Sequence, residues 1–481
     1  MLTRARRSIP APAFHAIRAA NPGADHGRGP SRLAATSRLP VVLRMMSAAG
    51  ALGLAIAEAS GRQVDFDVYR MGAAHVLGQH LYEVHLAVSP LYFTYPPFAA
   101  LLFRPFTELP VLAGQLVWSL LNVVMLAALT AISIRAARPQ WSRQRTWATT
   151  ALALFPALRL GPDLLTLDLG QVNLLIALLV LLDLTCVIRM PPHTVPRGVL
   201  LGITAAVKLT PLIFIPFLLA TRQLRVGATA LGTFLLCSLG TFAIAPHSSL
   251  LYWSTEIFNA RRSGNLLYIS DQNLSSALQR MMAAPPPPLL LDSLTMLSAV
   301  GGLAVATWAY RTSSPMLGIL LCAATGLIIS PVSWSHHYVW IVPLLAWLAL
   351  ASDAPRSGRW WALGAAALFW ADPIWWVPNP QRGYGGLLVL LAGNAYFLAA
   401  VAFLLLSCVL LWSRHQDLIR PPGPRWEMNG GTVLRIPAEG TAPGQQVRPG
   451  VPEGGAGSAV PQPTDTASAR GDRGPGCSFR S

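Results

Sequence analysis

Several scarce polar residues stand where they could do chemistry. The first group is Val64-Asp65-Phe66-Asp67-Val68-Tyr69-Arg70. On a helix Asp67 and Arg70 are i,i+3 neighbours and can pair. Asp65 is left as an acid without a local cation, which suits a general base; a carboxylate at the positive end of a helix dipole would have the same spacing. Lys208 is the chain's single lysine and opens Lys208-Leu209-Thr210-Pro211. Beside a proline break it can bind an anion, or it can snorkel from an apolar surface. His336 and His337 follow Ser333-Trp334-Ser335 with no carboxylate or third ligand at metal spacing. A phosphate contact or an orienting hydrogen bond therefore fits them better than a metal site. Further polar groups are Gln171 and Asn173, then Gln272, Asn273 and Arg280. Gln272 and Asn273 can equally cap a loop helix. Tyr92-Phe93-Thr94-Tyr95-Pro96-Pro97 offers aromatic faces for sugars, though an interfacial belt is the reading favoured at the end of a crossing.

Composition dictates the elements that must position these groups. Only 12% of the 481 residues are charged and 53% are hydrophobic. A soluble domain carries about 25% charge, so a water-soluble globule is excluded. Five cysteines without a CxxC or Cys/His cluster exclude a disulfide scaffold and a structural zinc site. The net charge of +16 does not point to nucleic acid, because its arginines crowd the N-terminal tail and short segments between apolar runs. That distribution holds cytoplasmic loops in place.

The expected architecture is an all-α polytopic membrane protein. Residues 1–38 form a basic tail and residues 414–481 a Pro/Gly-rich tail, both expected to be disordered and cytoplasmic. Residues 39–413 hold about eleven apolar runs, with two longer polar segments at about 61–110 and 246–286. With the N-terminus inside, a single crossing at 198–221 would put Arg222, Arg225 and every later arginine-rich loop outside. Two short segments broken at Lys208–Pro211 remove the conflict, since Pro211 lacks a backbone donor and disfavours helix at Thr210. The count becomes about 11–12 membrane segments with both termini inside. The polar groups then collect on the outer face. Ionisable groups near lipid are expensive, so such a gathering marks a site; merely polar outer loops are the plainer alternative.

In order and spacing these segments resemble glycosyltransferase family 87, the polyprenyl-phosphate-mannose-dependent alpha-1,2-mannosyltransferases of bacterial lipoglycan synthesis. The resemblance covers roughly 61–345. It rests on Val64 to Tyr69, Tyr95-Pro96-Pro97, Gly170-Gln171-Val172-Asn173, Lys208 to Pro211, Asp271-Gln272-Asn273-Leu274-Ser275 and Ser330 to His337. Gln272-Asn273 departs from the family's common Asn-Gln-Ser order.

The resemblance implies a GT-C type membrane fold, a plasma-membrane location with an extracytoplasmic active site, a lipid-linked sugar donor and a glycolipid acceptor. It implies Asp65 as the catalytic aspartate and His336 or His337 as the family's histidine. The chemistry is inverting transfer. Asp65 takes the acceptor proton, while Lys208, His336, His337 and Arg280 hold the leaving phosphate. Tyr69, Gln171, Asn173, Gln272 and Asn273 are expected to contact substrate. Neither metal nor other cofactor is required, and no nucleic-acid partner is expected. A pentose such as arabinofuranose on the same carrier is the close alternative sugar. A transporter or lipid flippase also suits the segment count and the broken helix, but would place its ionisable groups near mid-membrane in repeated halves. A scaffold subunit would leave Asp65 dispensable.

Overall fold

The computed structural model describes residues 31–378 apart from 60, 62, 88–89, 186–194 and 283, then 386–419, 425–429 and 432–436. Most of the expected tails lie outside the described residues. Helix α1 begins at Ser31, inside the stretch expected to be disordered.

Apolar segments with few charges fold as helices because backbone groups shielded from water must bond within their own segment. In chain order they are α1 (Ser31–Ala59), α2 (Val64–His75), α3 (Pro97–Phe103), α4 (Val111–Ala137), α5 (Arg143–Leu158), α6 (Gly161–Leu169), α7 (Asn173–Thr185), α8 (Val199–Val207), α9 (Phe214–Ala220), α10 (Leu224–Ile244), α11 (Pro246–Ser254), α12 (Leu274–Met282), α13 (Pro288–Thr312), α14 (Pro315–Ile329), α15 (Ile341–Leu350), α16 (Gly358–Ala371), α17 (Leu387–Gly393) and α18 (Ala395–Ile419). Proline opens α3, α11, α13 and α14, where its missing N–H costs nothing. Ser142 and Ser314 cap α5 and α14 by accepting from Arg145 N and Leu317 N, each at 3.2 Å. A separate strand pair, Arg425–Asn429 with Thr432–Ile436, is antiparallel with Arg425 opposite Ile436.

Among the described residues, five helical stretches are long and apolar enough to cross a bilayer: Pro40–Glu58, α4, α10, α13 and Ala395–Gln416. Helices α5 and α6, bent by 76°, make a sixth if taken as one broken span. The other apolar runs fold as shorter helices. The expected 11–12 segments therefore need short or broken pieces as well as full spans. Apolar side chains such as Met45, Met46, Leu236, Leu239, Met296 and Leu297 stand mostly exposed. In water such faces would be a liability, whereas acyl chains cover them at no cost. The protein is a multi-pass membrane protein. Helix α4 is the inner one: 61% of its apolar window is buried within the fold, against 11% for α13.

The break at 198–221 falls where proline placed it. Helix α8 stops at Val207, Lys208 is extended (φ −149°, ψ 130°), and a short 3-10 turn over Thr210–Ile213 leads into α9. Asp183, an acid inside an apolar run, has a purely structural task. Its two carboxylate oxygens accept from Gly198 N and Leu201 N, each at 2.8 Å, and so cap α8.

Candidate functional site

Helix α2 carries Asp65 and Tyr69 on neighbouring turns. It rests on an aromatic layer in which Phe66 packs against Phe103, Phe106 and Trp118. The Arg70 guanidinium donates to the carbonyls of Phe106 (2.5 Å) and Leu109 (2.9 Å), and Asp67 accepts from Gln115 Nε2 at 3.3 Å. The turn after α6 completes this wall. Gly170 is left-handed (φ +69°), and a Cβ there would meet Phe66 Cβ at 2.7 Å, so only glycine allows the close approach. Trp118 Nε1 donates to the Gly170 carbonyl at 2.8 Å.

That turn aims Gln171 at Asp65. Gln171 Nε2 donates to Asp65 Oδ2, and Gln171 Oε1 accepts from Tyr69 (2.7 Å) and Tyr95 (3.2 Å). The two tyrosine hydroxyls are 3.1 Å apart. Burial pushes the Asp65 carboxyl up to about 6, although the Gln171 hydrogen bond and the charge of Lys208 pull the other way. An acid so placed is charged at neutral pH yet basic enough to accept a proton. Tyr92 and Tyr95, expected as an interfacial belt, line the cavity instead.

The second group is cationic. Extended backbone at the end of α8 delivers Lys208, whose Nζ donates to Asn173 Oδ1 at 3.0 Å and to His337 Nε2 at 2.8 Å. An ammonium cannot accept, so His337 Nε2 must be unprotonated and its other nitrogen carries the hydrogen. Two of the three ammonium donors are used, which leaves one for a ligand. Asn173 Nδ2 donates in turn to the His336 carbonyl at 3.1 Å, and Thr166 Oγ1 to the same carbonyl at 3.3 Å. His336 is buried, and neither of its ring nitrogens has a hydrogen-bond partner among the described residues. A buried imidazole without a partner calls for an explanation, and this one stands at the cavity wall.

Asp65, Tyr69, Gln171, Lys208, His336 and His337 line one cavity of about 1070 Å³. Asn173 stands behind Lys208 on an adjoining small pocket. Arg280, Gln272 and Asn273 are not among the residues lining the large cavity. Arg280 is fully buried; its Nε donates to Asn394 Oδ1 at 2.9 Å and a terminal nitrogen to the Tyr268 carbonyl at 3.4 Å. Gln272 Oε1 accepts from Tyr396 N and Phe397 N, each at 3.2 Å, in the first turn of α18. Asn273 Oδ1 accepts from Ser276 N at 2.7 Å and caps α12. In this structure the three make capping and buried bridging contacts. Their segment still matters: Gln272 N donates to the Ser333 carbonyl (2.8 Å) and Ser335 N to the Ser270 carbonyl (2.7 Å), which fixes the turn leading into the histidines.

Sequence reasoning missed part of the cavity wall. Glu256, Asn259, Arg262, Asn265 and Tyr268 all line it. They lie in the long polar segment 246–286, whose length was the only available signal. Among the described residues no group of three His, Cys, Asp or Glu side chains could hold a metal ion.

The chain is similar in sequence to known proteins. The family model of glycosyltransferase family 87 matches residues 93–331, starting after α2 and ending just before the histidine segment. The chain is 32% identical over 382 residues to a polyprenol-phosphate-mannose-dependent alpha-(1-2)-phosphatidylinositol mannoside mannosyltransferase of Mycolicibacterium smegmatis, covering 73% of this chain and 85% of the relative. A Mycobacterium tuberculosis protein of the same description is 31% identical over 374 residues, covering 73% of this chain and 86% of that relative. A pentamannoside mannosyltransferase of Mycobacterium tuberculosis is 29% identical over 378 residues, covering 74% and 85%. No solved structure matches.

Proposed function

The chain belongs to glycosyltransferase family 87, and from that premise we propose that it transfers mannose from polyprenyl-phosphate mannose to a phosphatidylinositol mannoside or related glycolipid. It is a membrane glycosyltransferase. The reaction takes place at the extracytoplasmic face of the plasma membrane and forms an alpha linkage with inversion. The relatives' names support the donor, the acceptor and the linkage.

One observation carries the reading. A partly basic carboxylate and a lysine–histidine pair line the same cavity, from walls built by different parts of the chain. Asp65 is the base. It takes the proton of an acceptor hydroxyl as that oxygen bonds to the anomeric carbon. The bond from that carbon to the phosphate oxygen breaks on the opposite face, and polyprenyl phosphate departs with the electron pair. A beta donor thereby becomes an alpha product.

Lys208 stabilises the negative charge gathering on the phosphate, with His337 and His336 supplying further hydrogen bonds. Asn173 and His337 hold the ammonium in place beforehand. Gln171 does the same for Asp65, and its carbonyl is itself fixed by two tyrosines. Both reacting sides are thus oriented by neighbours rather than by the substrate.

The test is transfer of labelled mannose by purified protein from polyprenyl-phosphate mannose to a phosphatidylinositol mannoside, with the product linkage determined. An alpha-mannoside is the expected product. Preference for a polyprenyl-phosphate pentose, or substrate movement across proteoliposomes without transfer, would overturn the reading.

A further inference from the structure

The mechanism leaves unused a charged pair in the same cavity wall. Arg262 Nε lies 2.9 Å from Glu256 Oε2, and the two side chains are only 20% and 10% exposed. Both line the large cavity, with Asn259 and Asn265 beside them in sequence. The guanidinium sits over the Tyr92 ring, 4.6 Å from its centre, and donates to the Tyr82 carbonyl.

This pair is wired to the wall that bears Asp65. Tyr82, whose carbonyl takes the Arg262 hydrogen bond, donates from its hydroxyl to the Tyr95 carbonyl at 2.8 Å. Tyr95 donates from its own hydroxyl to Gln171, and Gln171 donates to Asp65. Lys208 borders the same network, its Nζ 5.4 Å from the centre of the Tyr95 ring, but its own hydrogen bonds go to Asn173 and His337. An acceptor hydroxyl must reach the base, so the groups that recognise the acceptor belong on the wall carrying that base.

The chemistry of the pair selects the ligand. A carboxylate accepts hydrogen bonds from sugar hydroxyls, and a guanidinium donates to their oxygens. Together they are neutral overall, which suits an uncharged polyol better than a second phosphate. We propose that Glu256 and Arg262 form the acceptor-sugar subsite, holding hydroxyls of the acceptor glycan beside Asp65. This rests on the mannosyltransferase reading above and names the residues that choose its acceptor.

A plain structural clamp between the two long polar segments is the competing role, and kinetics separates the two. Glu256→Gln is compared with the unaltered protein for the KM of the phosphatidylinositol mannoside, the KM of polyprenyl-phosphate mannose and the melting temperature. Losing one hydrogen bond to a charged group costs about tenfold or more in affinity. The acceptor KM should therefore rise by about that factor, while donor KM and melting temperature hold. Acceptors lacking single hydroxyls add a second reading. One of them should be about tenfold poorer for the unaltered protein and no poorer than the parent acceptor for Glu256→Gln, because neighbours that interact are non-additive.

An unchanged acceptor KM would overturn the proposal. So would a joint loss of donor affinity, acceptor affinity and melting temperature, the signature of a clamp. Should Glu256→Gln not fold, Glu256→Asp, which keeps the charge but withdraws it by one methylene, is read by the same criteria. If the unaltered protein transfers no mannose at all, it is the function that fails, and that arm shows it independently.

Discussion

Two polar clusters in this molecule look alike in sequence and behave differently in the fold. One joins Asp65, Gln171, Lys208 and the histidine pair. The other joins Asp271, Gln272, Asn273 and Arg280. In the second, hydrogen bonds run to helix ends and buried carbonyls: Asp271 accepts from Ser333 N and Ser276 Oγ, each at 2.8 Å, Gln272 serves α18 and Asn273 serves α12. That cluster is a strut that holds the histidine segment. In the first, Lys208 has a third N–H beyond its two hydrogen bonds, neither ring nitrogen of His336 has a hydrogen-bond partner among the described residues, and both residues line the cavity. A polar cluster that satisfies itself builds structure; one left incomplete at a cavity wall is poised for a ligand.

This contrast can be broken experimentally. Asp65→Asn keeps the shape and the Gln171 contact but removes the base. Transfer should fall by about three orders of magnitude, within the range of general-base removal, with membrane insertion and melting temperature intact. Arg280→Met should act in the opposite sense. Breaking a buried charged network costs about 3 kcal/mol or more, so the melting temperature should drop while transfer per folded molecule holds. A lost donor affinity at unchanged melting temperature would instead return Arg280 to the phosphate site.

Lys208→Met should raise the donor KM by about tenfold to a hundredfold, the worth of a charge-assisted hydrogen bond, and leave the acceptor KM nearly unchanged. The pH dependence sharpens the role of Asp65. The base must be ionised, and its carboxyl titrates at about 6. Transfer should therefore fall about tenfold per unit below that pH. Tyr95→Phe is expected to have the smallest effect, a loss of a few-fold in kcat, since Tyr69 still holds the Gln171 carbonyl.

Much of this site was legible in the sequence because charge is costly in an apolar chain. A single lysine beside Pro211, an acid one turn from Tyr69 and a histidine doublet stood out against their surroundings. Pro211 also marked where the run at 198–221 breaks. Gln272 and Asn273 were expected at substrate and Arg280 at phosphate, yet none of them lines the large cavity, because residue type does not say which way a side chain points. Capping had been an open alternative for Gln272 and Asn273, and it is what the fold uses. Glu256 and Arg262 escaped notice for a different reason. Their closeness to Tyr92 and Tyr82 comes from packing between segments some 170 residues apart, and no local spacing encodes that. The apolar runs were legible as helices, but not their lengths, since short and broken pieces depend on which neighbours shield their ends.

Donor binding to Asp65→Asn addresses the division of labour most directly. Equilibrium binding of polyprenyl-phosphate mannose is measured for the purified variant beside the unaltered protein, with transfer followed in parallel. If Asp65 serves only the acceptor proton, donor affinity stays within about twofold, far below the tenfold expected of a lost charged contact, and transfer is lost. Retained transfer, or donor affinity that collapses with it, would contradict a carboxylate base distinct from the phosphate-holding group.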